Sequence, residues 1–161
     1  MIDQENVHGV VHHAASARKT DFLYRISLKG FIQNDKGEVL VVKETGRESK
    51  WDLPGGGMDH EETIRSALAR EMYEEVSLEG DFEYSILEAE EPRFIQGHSW
   101  WQLRLIFAIT PANMKFSPGE DGDEIAFIDP RLFKDSESFS ERQVYEYAKI
   151  VERRNKQNSP R

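Results

Sequence analysis

The chain contains no cysteine among its 161 residues and no long hydrophobic run. The absence of cysteine excludes disulfide bonds and thiolate metal sites. No apolar stretch approaches the roughly 20 residues that a membrane span needs, so no membrane partner is expected. Residues 1–10 lack the basic and then apolar pattern of a signal peptide. The sequence therefore predicts a cytoplasmic location.

Basic residues are scarce relative to acidic ones. There are 21 Lys and Arg residues against 30 Asp and Glu residues, which gives a formal net charge of −9. Broad binding to nucleic acid depends on clustered Lys and Arg, so nucleic acid is not an expected partner. The acidity does not exclude small phosphorylated ligands, because divalent cations can lie between carboxylates and phosphates.

The remaining composition is that of a single folded domain. Hydrophobic residues make up 38% and charged residues 32% of the chain, which is typical of a globular fold. We expect a flexible N-terminal arm over residues 1–20, a single domain over 21–153 and a frayed C-terminal tail over 154–161. The histidines of the arm do not have the spacing of metal ligands; they are His8, His12 and His13.

Strand and helix patterns alternate along the domain. Runs of β-branched and aromatic residues predict strands over 22–33, 39–42, 82–89, 100–110 and 124–128. The turn sequence Asn-Asp-Lys-Gly at 34–37 predicts a hairpin between the first two strands. The most economical architecture is an α/β fold in which helices cover one mixed sheet.

Two helices are predicted. Apolar residues at a spacing of four predict a helix over 60–76, capped by Asp59 with Glu62 as the reciprocal partner of a capping box. A last helix is predicted over 141–153, with Ser140 as its cap.

The first predicted helix carries three glutamates on one face. Glu71, Glu74 and Glu75 lie three and four residues apart, so their carboxylates project together and repel one another. Such a face is most often simply solvated. Divalent ions would instead make it a site, because Mg²⁺ prefers oxygen ligands. The glycine turn 55–57 favours this second interpretation, since its backbone can approach a phosphate closely and leads into a helix N-terminus.

The spacing of these residues resembles the signature of the Nudix hydrolase family, G-x5-E-x7-R-E-U-x-E-E-x-G-U, in which U is a bulky apolar residue. The matching residues are Gly56, Glu62, Arg70, Glu71, Met72, Glu74, Glu75 and Leu78. The preceding residues 51–56, Trp-Asp-Leu-Pro-Gly-Gly, are similar to the family's usual approach to this box. Ser77 stands where the family has a second glycine, which affects the turn that ends the helix more than the metal site.

The resemblance implies an α/β/α sandwich, with a mixed β-sheet between helices and the box forming a loop, a helix and a second loop. It also implies a hydrolase that depends on Mg²⁺, with Mn²⁺ as a substitute. The metal ligands that it implies are the carbonyl of Gly55 and the carboxylates of Glu71, Glu74 and Glu75. One of these glutamates is expected to orient or deprotonate the attacking water. Arg70 and Glu62 are expected to form a structural ion pair within the box.

Residues outside the box are expected to complete the site. Many family members supply another acid from a later loop, and the candidates are Glu120, Asp121, Asp123 and Glu124. Glu124 is preferred, because it directly precedes a predicted strand, although each of these acids also fits an ordinary surface loop. Lys43 and Arg47 are expected to bind outer phosphates, the alternative being ordinary surface charges.

The tryptophans have two interpretations. Trp51, Trp100 and Trp101 could each stack on a base, because an aromatic face accepts any nucleobase. Core packing is nevertheless the expected role for at least two of them.

The resemblance implies a small nucleotide-like substrate, namely a nucleoside diphosphate linked to another moiety. A nucleoside triphosphate is favoured, and a homodimer is compatible with this reading. The alternative is a nucleoside diphosphate sugar of the ADP-ribose type, for which Pro92 lies one residue from a position where that subgroup often has proline. Dinucleoside polyphosphates stay open. A non-catalytic sensor is disfavoured because all four box glutamates are present, and removal of 5′ diphosphate groups from RNA is disfavoured by the net acidity.

Overall fold

A computed structural model describes residues 10–12, 20–43, 49–98, 100–120 and 124–158. Within these ranges the strands are β1 (Val10–His12), β2 (Thr20–Phe22), β3 (Tyr24–Phe31), β4 (Val39–Lys43), β5 (Trp51–Asp52), β6 (Phe82–Ala89), β7 (Arg93–Ile95), β8 (Trp100–Pro111) and β9 (Glu124–Ile128). The helices are α1 (Ile64–Val76) and α2 (Phe139–Asn158), with a short 3₁₀ helix at Pro130–Phe133. The five predicted strands are present, and three of them differ from the prediction by one or two residues at their ends.

The strands form two main sheets rather than the single sheet that the sequence predicted. β8 is the centre of a mixed sheet, with β3 parallel to it and with β6 and β7 antiparallel to it. β4 is the centre of an antiparallel sheet with β5 and β9. The predicted turn after β3 is present, but it joins strands of different sheets. The expected hairpin is therefore reduced, in the described ranges, to one bridge between Gln33 and Val39.

Alternate residues of β4 pack into opposite cores. Leu40 and Val42 lie in a cluster with Met72 of α1, whereas Val39 and Val41 lie in a second cluster with residues of α2. Because successive side chains of a strand point to opposite faces, this strand is buried on both sides. The sheets therefore lie between the two helices, which confirms the expected α/β/α sandwich.

The helix that carries the three glutamates begins later than predicted. Its N-cap is Thr63, whose side chain accepts a hydrogen bond from the Ser66 N–H, while the Ser66 hydroxyl accepts one from the Thr63 N–H at 2.9 Å. Asp59 is not the cap, because Glu61 has a φ of 68°, which a right-handed helix cannot contain. Glu62 still accepts a hydrogen bond from the Asp59 N–H at 2.9 Å, so this predicted contact forms in the preceding loop.

α1 ends at Ser77, which adopts the left-handed conformation with φ 52° and ψ 35°. Its N–H donates to the carbonyls of Met72 and Tyr73, and the Leu78 N–H donates to the Met72 carbonyl at 3.1 Å. This is the arrangement in which glycine usually ends a helix. Ser77 thus keeps the turn geometry of the family glycine but carries a Cβ that disfavours this conformation.

We expect Ser77→Gly to stabilise the fold. Glycine adopts positive φ without the steric penalty of a Cβ, so the free energy of unfolding should rise by about 1 kcal/mol. For a chain of this length, that corresponds to an increase in Tm of about 2–4 °C. Thermal unfolding followed by circular dichroism measures the shift, and Ser117→Gly is a control at a serine whose φ is not positive. An unchanged or lower Tm in Ser77→Gly would contradict the strain argument.

The second helix is longer than predicted at both ends. It begins at Phe139 rather than after Ser140, and the Ser140 hydroxyl instead donates to the Trp51 carbonyl at 2.9 Å. The helix continues to Asn158, so residues 154–158 are helical rather than part of a frayed tail. Arg154 holds this extension, because its guanidinium donates to the carbonyls of Ile86 and Leu87 at 3.0 and 2.7 Å.

The N-terminal region contains two short strands where no regular element was predicted. β1 pairs antiparallel with β2, from Val10 opposite Phe22 to His12 opposite Thr20. His8 and His13 lie outside the described residues. In the part of the chain that the structure describes, neither helix is both long and apolar enough to cross a bilayer.

Candidate active site

The glycine turn lies along the side of β3 that faces away from β8. The N–H groups of Leu28 and Gly30 donate to the carbonyls of Gly56 and Pro54, each at 2.8 Å, and the Met58 N–H donates to the Ile26 carbonyl at 2.9 Å. Gly55 has a φ of 125°, and a Cβ at this position would lie 2.1 Å from the Leu28 carbonyl oxygen. Glycine is thus required for the turn to lie this close to the strand.

Arg70 connects the turn to the glutamate face of α1. Its Nε and Nη2 atoms donate to the two carboxylate oxygens of Glu62 at 2.7 and 2.9 Å, and Nη2 also donates to the Gly57 carbonyl at 3.1 Å. Its Nη1 donates to Glu71 at 2.8 Å and to Glu74 at 3.1 Å. The planar guanidinium suits this two-pronged contact. The hydrogen bonds from Arg70 lower the pKa of Glu62 to about 2.

The three box glutamates on α1 differ in their surroundings. Glu71 and Glu75 are buried and Glu74 is partly exposed. Glu71 and Glu74 share Arg70, whereas Glu75 accepts a hydrogen bond from the Gly55 N–H at 2.6 Å. In this arrangement no three acidic or histidine side chains of the described residues converge as a metal-binding group. The glutamates therefore lie on one face, but their carboxylates are directed to protein partners.

Glu71 lies directly beneath the glycine turn. A Cβ on Gly56 would lie 2.7 Å from a carboxylate oxygen of Glu71, so only glycine leaves room for this carboxylate. Burial raises the pKa of Glu71 above its ordinary value, against the opposing influence of Arg70. A cation bound to this carboxylate would favour its ionised form.

The loop after β8 packs on the C-terminal end of α1. The Gly119 N–H donates to the Glu75 carbonyl at 3.0 Å, and a Cβ on Gly119 would lie 2.0 Å from the Glu74 carbonyl. The chain therefore places Glu120 next to the end of the glutamate helix. Glu124, the preferred candidate from sequence, instead lies opposite Lys43 in the β4–β9 ladder, 3.5 Å from its Nζ. Arg47, Asp121 and Asp123 lie outside the described residues.

A cavity of about 530 Å³ lies next to the glycine turn. β3 and β8 each contribute alternate residues to it, because one face of their shared sheet forms its wall. These residues are Arg25, Ser27 and Lys29 on β3, and Trp100, Gln102 and Arg104 on β8. The turn 55–57 and Asp52 also line the cavity. Three of these side chains are cationic and one is a carboxylate, in a protein with a net charge of −9.

The inner end of this cavity is a buried ion network. Lys29 donates to the carbonyls of Gly55 and Leu53, and its Nζ is 3.6 Å from an Asp52 carboxylate oxygen. Arg104 Nη2 donates to Asp52 at 3.2 Å, and Arg104 Nε is 3.6 Å from Glu90. Although burial acts in the opposite direction, Lys29 and Arg104 hold the pKa of Asp52 below its usual range.

Two groups that the sequence placed at the site have other partners in the structure. The Gly55 carbonyl, expected as a metal ligand, accepts a hydrogen bond from Lys29 in this structure. Lys43, expected to bind phosphates, lies 3.5 Å from Glu124 and 4.5 Å from the ring centre of Trp51. Lys43 is not among the described residues that line the cavity.

The expected core packing of the tryptophans applies to one of the three. Trp51 packs against the α2 core, but Trp100 and Trp101 are 39% and 43% exposed. Trp100, which the sequence offered as a stacking residue, lines the cavity, but the polar and cationic residues that line it were not among the sequence predictions; these are Arg25, Ser27, Lys29, Gln102 and Arg104. Their signal was the alternation Arg-x-Ser-x-Lys over 25–29 and Trp-x-Gln-x-Arg over 100–104, which places polar groups on one face of each strand.

Comparison with known proteins agrees with this geometry. The family model described as NUDIX domain matches residues 23–153. An RNA pyrophosphohydrolase of Ruthia magnifica subsp. Calyptogena magnifica is 30% identical over 125 residues, covering 66% of this chain and 68% of that protein. An RNA pyrophosphohydrolase of Vibrio atlanticus (strain LGP32) is 44% identical over 55 residues, which is 34% of this chain and only 31% of that protein.

The fold has similar solved structures. The crystal structure of the MutT protein from Methanosarcina mazei Go1 has a TM-score of 0.67 and 21% sequence identity, and the match covers 83% of this chain and 96% of that chain. At 21% identity this comparison shows a similar fold. The family model matches residues 23–153, which include the box, and therefore shows the family. The chain therefore belongs to the Nudix hydrolase family.

Proposed function

We propose that this enzyme hydrolyses a diphosphate bond within the polyphosphate chain of a nucleotide, with a free nucleoside triphosphate as the first candidate substrate. The observation that carries this proposal is the cationic cavity beside the glutamate face. The lining carries the positive charges of Arg25, Lys29 and Arg104 against the one carboxylate of Asp52, and this excess of positive charge favours phosphates. The turn 55–57 lies between these groups and Glu71. Polyanion binding and metal ligation would thus occur on adjacent sides of one glycine turn.

The residues present fit a divalent cation of the Mg²⁺ type. Nudix hydrolases generally use divalent metal ions, and the candidate donors here are carboxylate oxygens, which Mg²⁺ prefers. Because Gly56 has no side chain, the buried Glu71 carboxylate reaches the turn, where its oxygens are candidate cation ligands. Arg70 Nη1 donates to one oxygen of Glu71 and to one oxygen of Glu74, so the second oxygen of each carboxylate is the candidate cation ligand. Glu120 is the further acid that we propose in place of Glu124.

The bound metal would supply positive charge to the phosphate oxygens and the attacking water. The protein's own residues bind and orient the substrate. Lys29 and Arg104 hold the phosphates at the inner end of the cavity, and the turn leaves room for them because it has no side chains. A box glutamate accepts a proton from a water molecule while the oxygen of that water attacks one phosphorus. The bond from that phosphorus to the bridging oxygen breaks, and the bridging oxygen leaves on the other phosphate.

The first experiment is a phosphate-release screen of the purified protein with Mg²⁺ or Mn²⁺, coupled so that each product yields free phosphate. Inorganic pyrophosphatase is added for the triphosphates, and alkaline phosphatase for the substrates that lack a terminal phosphate. The substrates are nucleoside triphosphates, ADP-ribose and other nucleoside diphosphate sugars, and dinucleoside polyphosphates. We expect metal-dependent turnover of nucleoside triphosphates that is lost in Glu75→Gln, since the amide keeps the shape of the side chain but loses its charge. Turnover of diphosphate sugars alone would favour the ADP-ribose type. Nucleotide binding without turnover across the panel would point to a sensor and overturn the hydrolase proposal.

The 5′ end of RNA is a second candidate substrate. The similarity to the two RNA pyrophosphohydrolases favours it. A 5′-triphosphate end also carries the same phosphate chain as a free nucleotide. Comparing kcat/KM for a short 5′-triphosphate RNA with that for the matching free nucleotide decides between them. A ratio well above one would make the RNA end the substrate, and a gel shift with the same RNA measures binding directly.

We also propose that the enzyme acts in the cytoplasm, where nucleotides and Mg²⁺ are abundant. The homodimer stays a prediction, which sedimentation of the purified protein would test.

A further inference from the structure

Neighbouring tryptophans of β8 face opposite sides of the sheet. Trp100 lines the cavity, whereas Trp101 lies on the reverse face, where its ring is 6.5 Å from that of Tyr24 and 5.8 Å from that of Phe94. The two tryptophans have nearly equal exposure, at 39% and 43%. They therefore form a matched pair in which only one belongs to the candidate active site.

The cavity face of β8 changes in character along the strand. Trp100 stands at the exposed outer end, Gln102 follows, and the buried Arg104 lies at the inner end. Across the sheet, Arg25 pairs with Gln102 and Ser27 pairs with Arg104, so each pair places one cationic and one neutral polar side chain on the cavity wall. The cavity thus offers a flat aromatic surface at one end and cationic groups at the other.

The ring of Trp100 is already engaged in stacking. The imidazole of His98 lies parallel to it, with ring centres 4.7 Å apart and an angle of 9° between the planes. Both side chains line the cavity. The indole surface therefore accepts a planar heteroaromatic ring at this position. Because the His98 side chain is exposed, a ligand can displace its imidazole from the indole.

We propose that Trp100 binds the nucleobase of the substrate by stacking, with the phosphate chain extending to Lys29 and Arg104. This proposal rests on the proposed function, since it takes the substrate to be a nucleotide. It assigns to the enzyme substrates that carry a base, rather than phosphorylated sugars or inorganic polyphosphates. Stacking accepts every base, so the same residue serves purine and pyrimidine nucleotides.

The test measures equilibrium binding rather than turnover. The ligands are the α,β-methylene and β,γ-methylene analogues of ATP, with inorganic tripolyphosphate as a ligand that has the phosphate chain but no base. We expect Trp100→Ala to raise Kd for the ATP analogues about tenfold or more, because a stacked aromatic ring contributes strongly to binding. Kd for tripolyphosphate should stay within about twofold, and Trp100→Phe should recover most of the affinity for the analogues.

Trp101→Ala is the matched control, and its affinity for the ATP analogues should equal that of the wild type. The proposal is overturned if Trp100→Ala binds the analogues as tightly as wild type, if it loses tripolyphosphate equally, or if Trp101→Ala has the same effect. Should Trp100→Ala fail to fold by circular dichroism, Trp100→Leu and Trp100→Phe are compared instead, and equal affinities would overturn the proposal. Failure here leaves the phosphate-release screen unaffected, whereas failure of the proposed function appears as absence of turnover in that screen.

Discussion

Glu74→Gln is expected to lower kcat by on the order of 100-fold or more, because the charge of one metal ligand is lost and metal catalysis supplies several kcal/mol of stabilisation. Glu74 is suited to this experiment because it is partly exposed and, among the described residues, its carboxylate accepts a hydrogen bond from Arg70 at 3.1 Å. Glutamine can still accept that bond. The Tm should therefore change little, while activity is nearly abolished.

Glu79→Gln is the control for this variant, since Glu79 is exposed and follows the helix that carries the box. It removes the same charge and should retain full activity. Metal titration of Glu74→Gln by calorimetry separates loss of metal affinity from loss of turnover. Activity of Glu74→Gln near the wild-type level, at saturating metal, would remove this residue from the proposed ligand set.

Arg104→Met is expected to be the most destabilising of the substitutions considered. The guanidinium is buried, 3.2 Å from Asp52 and 3.6 Å from Glu90, and the Glu90 side chain is itself nearly buried. Methionine has similar length but leaves these carboxylates without their cation. Removing one partner of a buried ion pair costs about 3–5 kcal/mol of unfolding free energy. For a chain of this length the Tm should fall by about 10 °C or more.

Two further variants test this explanation of the Arg104 effect. Glu90→Gln in the Arg104→Met background should recover part of the lost stability, because it removes the negative charge of a carboxylate that has lost its cation. Arg131→Met removes an arginine from the surface pair with Asp129, and surface pairs contribute little, so its Tm should be nearly unchanged. Equal Tm values for Arg104→Met and Arg131→Met, measured by thermal unfolding, would show that the buried network does not stabilise the fold.

Much of the fold could be predicted from the sequence because its signals are local. The strands over 82–89 and 124–128 and the box helix follow from residue type and period alone. The number of sheets could not be predicted, because strand pairing is a long-range property. The turn after β3 has the chemistry of a hairpin, yet β4 pairs with β5 and with β9, which lies more than 80 residues away from it in sequence.

The site was predictable where motif spacing determines geometry and not elsewhere. The contact of Arg70 with Glu62 could be expected from the box, and the structure contains it. Lys29 and Arg104 were not identified, because they are far apart in sequence and become neighbours only through the pairing of β3 with β8. The helix start was misplaced for a different reason. A left-handed residue at Glu61 cannot be recognised from residue type, since glutamate rarely adopts that conformation.

The position of the glycine turn along β3 has a consequence beyond chemistry. β8 pairs with β3 on one side, and the turn occupies hydrogen-bonding groups of Leu28, Gly30 and Ile26 on the other. Unoccupied groups of this kind recruit strands from other molecules and start aggregation. The glycine turn, which is expected to bring phosphate and metal together, therefore also prevents strands of other molecules from pairing with the edge of β3. Substitutions that loosen it to alter the reaction would compromise the yield of monodisperse protein along with the rate.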